Sequence, residues 1–491
     1  MQLQYLCAFI IDVDIRENLG RLPPDLDTLY AELYDTLSNT PGEFKGIIFR
    51  NMLSWLLCAQ RTLKTTEFLA AVSEITQSNN NAISVRKEHV LKLCNNFVVF
   101  DAQLDTFRFA HLSVREFLEK RQEYTTAATN ALVAEACLQH LISTNSIRIT
   151  NKATTTHSQH LITNSSEIDG FSKYSIIYWP VHCQLVSDER ISGKLKSNFR
   201  LFLFGKSDTT CPIELWHAQL PYFMKESYIG FDLKGRLEDT MVMPASALAA
   251  PWFILCVFNL SEILEDLKYE PISPTHLTNK RGRSLLDVSV VHGSCKSLKV
   301  LLNQHRVEAQ ITEEVVKAAA ANWRNGKEVM ALLLDQRSDE VKITEKMVKT
   351  IVEIGNKDIM ALLLEQCSNE IKITEEVIKA AARNPFSGKE MMALLLDQRG
   401  DEVKITEEVV KAAARNPLSD KEMMALLLEQ RSDEIKITEE VVKAAAANWR
   451  NGKEVMALLL EQRSDEIKIT EEVVKAAAAN WRNGKEVMAL L

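Results

Sequence analysis

From residue 311 to its last residue the chain repeats itself, and that repetition constrains its fold more than any other feature. The phrase I-T-E-E-V-V and its variants start at Ile311, Ile343, Ile373, Ile405, Ile437 and Ile469, at steps of 32, 30, 32, 32 and 32 residues. A leucine triplet at Leu332, Leu362, Leu394, Leu426 and Leu458, with a final pair at Leu490, recurs at steps of 30, 32, 32, 32 and 32 residues. A fixed period of this length means stacked supersecondary units.

Each unit reads as two helices. Thr312 and Thr438 are placed to accept a backbone N–H as N-caps, and the two Glu that follow sit where the helix dipole favours negative charge. The Ala run of the first helix leaves a thin face for close approach, and K-E-V-M-A-L-L-L in the second supplies the core. Between them lie turn segments at 322–326 (NWRNG), 353–356 (EIGN), 384–388 (NPFSG) and 416–420 (NPLSD), with Pro385 and Pro417 opposing continuation of the first helix. Such a pair cannot bury its apolar face alone, so it stacks into a solenoid.

The helices are nearly uniform while the turns vary, which makes the turn residues the interaction candidates: Trp323, Arg324, Phe386, Leu418, Trp449, Arg450, Trp481 and Arg482. Trp beside Arg is the composition of an interface anchor. The alternative is that each Trp folds over its own turn to cover the Ala-rich helix. Both readings stand at the level of sequence. The expected partner is another protein or the repeats of a second copy.

Upstream, GRSLLDVSVVHGSCKSLKVLLNQ (282–304) resembles an ankyrin unit, with SLLDVSVVHG where that family has a T-P-L-H-x-A-like stretch, and ALAAPWFILCVFNLSEILEDL (247–267) resembles another. The later repeats depart from the family, lacking T-P-L-H and carrying RSDEIK or RGDEVK as connectors. The resemblance therefore implies ankyrin-like helical pairs and does not carry over a β-hairpin finger.

Near the other end, LPPDLDTLYAELYDTL (22–37) reads as an amphipathic helix opened by Pro-Pro, with Leu26, Leu29, Leu33 and Leu37 on one side. Three more helices lead to FVVF (97–100), a turn over 101–105 and TFRFA (106–110), a β-hairpin packed on helices as in a winged helix. Ser113 and Glu116 fit a capping box for the helix that follows. These phrases, with WLLCAQRTLKTTEFLAAVS and FRFAHLSVREFLE, resemble the winged-helix segment behind the nucleotide-binding core of fungal NACHT-type NTPases of the STAND class, over most of residues 22–120. The resemblance implies that His111 helps hold an ADP-bound resting state where a NACHT domain is present. It also implies a fungal immune-type or heterokaryon-incompatibility receptor, NLR-like in its order of winged helix, helical spacer and repeats.

The nucleotide-binding core is not in this sequence. A P-loop needs G-x-x-x-x-G-K-[ST], and the nearest approach, RLFLFGKS, has Arg200 at the first Gly position, so LFLF is expected in a core. No hydrolysis, cofactor or metal is expected, and the chain reads as a non-enzymatic scaffold. The alternative is a regulatory subunit or fragment acting on a NACHT NTPase supplied elsewhere. DNA binding through Arg108, Arg115, Lys120 and Arg121 is a weaker reading, because the whole chain carries a net charge of −8.

The 491 residues, 46% hydrophobic and 25% charged, are enough for several cored domains. The expected division is 1–122 (winged-helix-like module), 123–243 (helical spacer) and 244–491 (repeat solenoid), mainly α throughout. Nine scattered cysteines without a C-x-x-C pair point to a reduced, cytoplasmic protein. The N-terminus lacks a basic n-region, and the longest apolar run, 245–260, falls short of a membrane span. In the spacer, 174–185 reads as a buried helix with Tyr178, Trp179 and His182; His182 beside Cys183 lacks a third ligand or an orienting carboxylate. The pairs Asp12/Asp14 and Asp25/Asp27, and the repeat charges around Glu454 and Arg463, read as solvated surface. Leu491 falls inside the second helix of the last repeat, which fits a fragment, a truncated relative or an end covered by another copy.

Overall fold

In the computed structural model, which describes residues 25–39, 45–75, 85–94, 97–152, 170–186, 193–205, 211–226, 228–242, 249–267, 277–304, 311–337, 343–354, 357–384, 386–418 and 420–491, the first helix opens on a carboxylate. Asp25 accepts from the Thr28 N–H at 2.7 Å and caps α1 (Leu26–Ser38); these bonds from Thr28 hold its pKa below the ordinary value. Asp27 instead takes Lys120 at 2.6 Å, so the pair is a cap and an ion pair rather than free surface charge. Pro23 and Pro24, like Asp12 and Asp14, lie outside the described residues. The buried face of α1 is Leu29, Tyr30 and Tyr34, while Leu26 is exposed.

α2 (Lys45–Cys58), α3 (Thr65–Ile75) and α4 (Lys87–Cys94) precede β1 (Val98–Asp101) and β2 (Thr106–Phe109), paired antiparallel with Val98 opposite Phe109 and Asp101 opposite Thr106. The tip is fixed from outside: Thr65 donates to the Asp105 carboxylate at 2.7 Å and Lys64 to the Leu104 carbonyl at 2.8 Å. Together with α5 (Leu112–Glu119) this is the expected winged helix. Its core is aromatic, with Tyr30, Tyr34, Phe49, Phe97 and Phe117 in tilted and edge contacts between 5.5 and 6.5 Å.

The helical spacer expected over 123–243 contains α6 (Thr126–Lys152), α7 (Gly170–Gln184), α8 (Gly193–Phe204), α9 (Pro212–Glu226) and α10 (Phe231–Met241); α11 (Ala250–Val257) and α12 (Ser261–Asp266), expected at the start of the repeat solenoid, group instead with these helices. Tyr178, Trp179 and His182 are buried on α7, as the sequence implied, and Trp179 meets Phe202 at 4.9 Å and Trp216 at 5.6 Å. Phe202 and Leu203 of the LFLF stretch are core residues; Lys206 and Ser207 lie outside the described residues. All these elements belong to one compact unit, which runs to Gly282.

The second unit begins at Arg283. α13 (Leu285–Val291) carries a complete capping box between Ser284 and Asp287 and is followed by α14 (Cys295–Gln304). Six helix pairs come next: α15 (Glu313–Ala321) with α16 (Gly326–Arg337), α17 (Glu345–Ile354) with α18 (Lys357–Gln366), α19 (Glu375–Arg383) with α20 (Gly388–Arg399), α21 (Glu407–Arg415) with α22 (Asp420–Gln430), α23 (Glu439–Ala446) with α24 (Gly452–Arg463), and α25 (Glu471–Ala479) with α26 (Gly484–Met488). First helices pack on first helices and second on second. The alanines sit where first helices meet, Ala412–Ala414 and Ala444–Ala446 being buried, while Met423, Met424, Leu427 and Leu428 fill the layer behind. The result is one continuous core, the α-solenoid that the period required.

The described residues of the array include no strand, and three of the connectors are single 3₁₀ turns (Ser368–Glu370, Ser432–Glu434, Ser464–Glu466). Their charges are not a solvated face. Arg463 pairs with Glu466 and also donates to the carbonyls of Ser432 (3.2 Å) and Ile435 (2.9 Å) one repeat earlier, while Glu466 accepts from the Ile437 N–H at 3.0 Å. Arg399 and Arg431 reach back in the same way, so these side chains satisfy connector backbone groups and fix the register between repeats.

Candidate functional site

The turns of the array are held by one residue type. Asn448 is buried, donates its amide to the carbonyls of Ala414 (2.9 Å) and Asn416 (3.1 Å) in the preceding repeat, and accepts from the backbone N–H groups of Arg450 and Asn451 at 3.1 Å each. Asn416 and Asn480 repeat this pattern, and Asn322 and Asn384 make its equivalent toward Val290 and Val352. The resulting asparagine ladder was visible in the sequence as a recurrent Asn, read there only as a turn former. It fixes these five turns against the repeat before, so the residues that follow the Asn project from a defined frame.

Those residues are the candidates. Trp323, Phe386 and Trp481 are 78%, 85% and 79% exposed, which removes the reading in which each aromatic covers its own helix. Leu418 and Trp449 are about half as exposed, Trp449 because its ring stacks on Trp481 with centroids 6.0 Å apart and planes 12° from parallel. The Arg482 guanidinium lies 5.4 Å from the centroid of the same Trp449 ring, and Arg324 lies 4.8 Å over Trp323. Arg450 is exposed beside them. The structure thus brings Trp449, Trp481 and Arg482 into one cluster, while Pro385 lies outside the described residues. Nearby, Arg383, Lys411 and Arg415 border a cleft of about 220 Å³.

His111 has a local structural role. It is exposed and is the N-cap of α5, its Nδ1 accepting from the Ser113 N–H at 3.2 Å and lying 2.8 Å from the Ser113 hydroxyl, which in turn meets the Tyr30 hydroxyl at 2.8 Å. The expected Ser113–Glu116 capping box is therefore not formed: the helix starts at Leu112, and the Ser113 oxygen is engaged by His111 and Tyr30. The basic residues of the DNA reading are engaged within the module. Arg108 lies 3.7 Å from Asp101, Arg115 pairs with Glu119, Lys120 with Asp27, and Arg121 with Glu123 while covering the Tyr34 ring at 4.0 Å. A larger cleft of about 420 Å³ beneath the hairpin, bordered by Arg61, Arg108 and Arg115, is lined with these paired cations; Arg61 forks onto Glu67 with two bonds of 2.7 Å.

In the spacer, His182 is wholly buried and belongs to a directed polar chain. The Gln60 N–H donates to the Tyr174 hydroxyl (2.9 Å), that hydroxyl lies 2.7 Å from His182 Nε2, and His182 Nδ1 lies 2.7 Å from Asn130 Oδ1. Burial lowers the His182 pKa to about 3, so the ring is neutral, with its proton on Nδ1 facing Asn130. Burial likewise pushes the Cys58 thiol up to about 12. Among the described residues no group of three or more His, Cys, Asp or Glu is arranged to hold a metal ion, and no helix is long and apolar enough to cross a membrane.

Comparison with known families finds matches in both parts of the chain. A family model described as Domain of unknown function (DUF7104) matches six successive segments, 300–330, 332–351, 362–392, 394–424, 426–456 and 458–488, the first of them beginning within α14. A model described as GPI inositol-deacylase, winged helix domain matches residues 40–130. No curated protein and no solved structure matches the chain.

Proposed function

We propose that this chain is a non-enzymatic protein-interaction scaffold, the partner-sensing and winged-helix portion of a STAND-type, NLR-like receptor, working in the cytoplasm through ankyrin-like repeats. The observation that carries this reading is the row of apolar side chains, Trp323, Phe386, Leu418, Trp449 and Trp481, displayed at equivalent turns of a frame that buried asparagines hold rigid. Aromatic side chains on a fixed backbone bind with little loss of conformational freedom, which is how interface anchors work. The winged-helix match over 40–130 supports the receptor context, in which that module would connect sensing to a NACHT NTPase.

The test is capture of binding proteins from cells by the full chain, wild type against Trp323→Ala/Trp449→Ala/Trp481→Ala, with circular dichroism as the folding control. Partners are expected to be lost from the triple variant. An unchanged set bound at unchanged affinity would remove the turns as the contact surface.

A further inference from the structure

The six repeats do not present the same surface. The residue before the turn asparagine is Ala321, Ala447 or Ala479 in the repeats whose turn carries Trp, but Arg383 and Arg415 in the two adjacent repeats whose turns carry Pro. Both arginines are exposed, and both border the cleft of about 220 Å³ together with Lys411, Glu408, Asn416 and Pro417. Three cations thus line the cleft with one carboxylate, Glu408, which Lys411 bonds at 2.8 Å and, with Lys379 and Arg383, holds below its ordinary pKa; a second carboxylate, Glu440 of the next repeat, feels Lys411 and Arg415 but is already bonded by Lys443 at 3.0 Å. Among the described residues neither guanidinium has an ion-pair partner of its own. The cleft is therefore electropositive, and exposed apolar groups follow both arginines in sequence, Phe386 and Leu418.

We propose that this cleft receives an acidic peptide segment of a protein partner, its carboxylates on Arg383 and Arg415 and an apolar side chain beside Phe386 and Leu418. The inference rests on the interaction reading above and gives it a partner chemistry. A guanidinium presents a planar fork that matches a carboxylate in two bonds, and two of them one repeat apart select for spaced acidic residues. The Trp-bearing repeats lack this feature, so the array holds two kinds of contact surface.

The test is selection of phage-displayed random dodecapeptides on the full chain, followed by fluorescence anisotropy of the enriched peptides. The expected result is net acidic peptides with an apolar residue, bound about tenfold or more weakly by Arg383→Ala/Arg415→Ala, retained in part by Arg383→Lys/Arg415→Lys, and weakened between about 50 mM and about 500 mM salt. Neutral or basic peptides, or an alanine pair that binds as wild type, would overturn it. Peptides that depend on Trp323, Trp449 and Trp481 but not on the two arginines would overturn it while leaving the interaction reading intact. Tighter binding of a short single-stranded DNA through the same arginines would overturn it in favour of a nucleic acid.

Discussion

Asn448 serves four backbone groups with one amide, two carbonyls of the preceding repeat and two N–H groups of its own turn. Asn448→Ala strands buried groups at once, and a loss of about 3 kcal/mol is expected from the desolvation left uncompensated. Asn448→Asp keeps the two acceptor bonds but sets a carboxylate against two carbonyl oxygens, and should cost at least as much. Urea titration of both variants checks this; a change under about 0.5 kcal/mol would mean that the ladder does not hold the turns. His182 makes a pH-dependent contribution. Its folded pKa of about 3 lies below the ordinary 6.5, so the unfolded chain takes up a proton that the folded chain refuses. The contribution is complete above pH 6.5 and falls by up to about 1.4 kcal/mol per unit as pH drops toward 3. His182→Gln should be less stable at neutral pH yet lose less between pH 6.5 and 4, and parallel wild-type and variant profiles would refute this. Neither role was legible in the sequence, because the carbonyl partners of Asn448 lie 32 and 34 residues back, and His182 joins Tyr174, two turns back on α7, to Asn130 on α6.

Helices, by contrast, were largely legible, since the threonine caps, the Ala-rich faces and the leucine triplets are local signals. Thr312 and Thr438 accept from the N–H groups of Val315 and Val441 as their positions implied. The failures were at element ends where a tertiary contact competes: Ser113 belongs to His111 and Tyr30 instead of its own box, and Arg463 to the previous repeat instead of to water. The start of each second helix shows how tight these ends are. A Cβ on Gly326 would lie 2.3 Å from the Ala319 carbonyl oxygen, so Gly326→Ala must push α16 off α15, at about 1–3 kcal/mol. Gly235, within α10, has nothing within 4 Å of such a Cβ, and Gly235→Ala should stabilise by about 0.5–1 kcal/mol through helix propensity alone. Denaturation of the two variants should shift in opposite directions, and a neutral Gly326→Ala would mean that the turn relaxes freely.

At the scale of the molecule, the array behaves as a sum of near-identical interfaces, and that makes a whole repeat removable. Excising residues 405–436 would join Lys404 to Ile437 and bring Thr438 to Glu375, the partner that Thr406 has now, since Thr438 currently bonds Glu407 in the same way. Asn448 would meet the carbonyls of Ala382 and Asn384, which now accept from Asn416, and Arg463 would take the carbonyl of Gly400, as Arg431 does. Each of these inter-repeat bonds therefore has a ready substitute, and in a quasi-one-dimensional solenoid stability falls by one repeat and one interface without loss of fold. The shortened chain is expected to keep its helical signal per residue and to unfold cooperatively at lower urea with a smaller m-value. It also loses Arg415 while keeping Arg383, so acidic-peptide binding should disappear from a chain that remains folded and still displays Trp323, Trp449 and Trp481. Collapse of the array on excision would show that coupling runs beyond nearest neighbours, and retained peptide binding would place the acidic segment away from the two-arginine cleft.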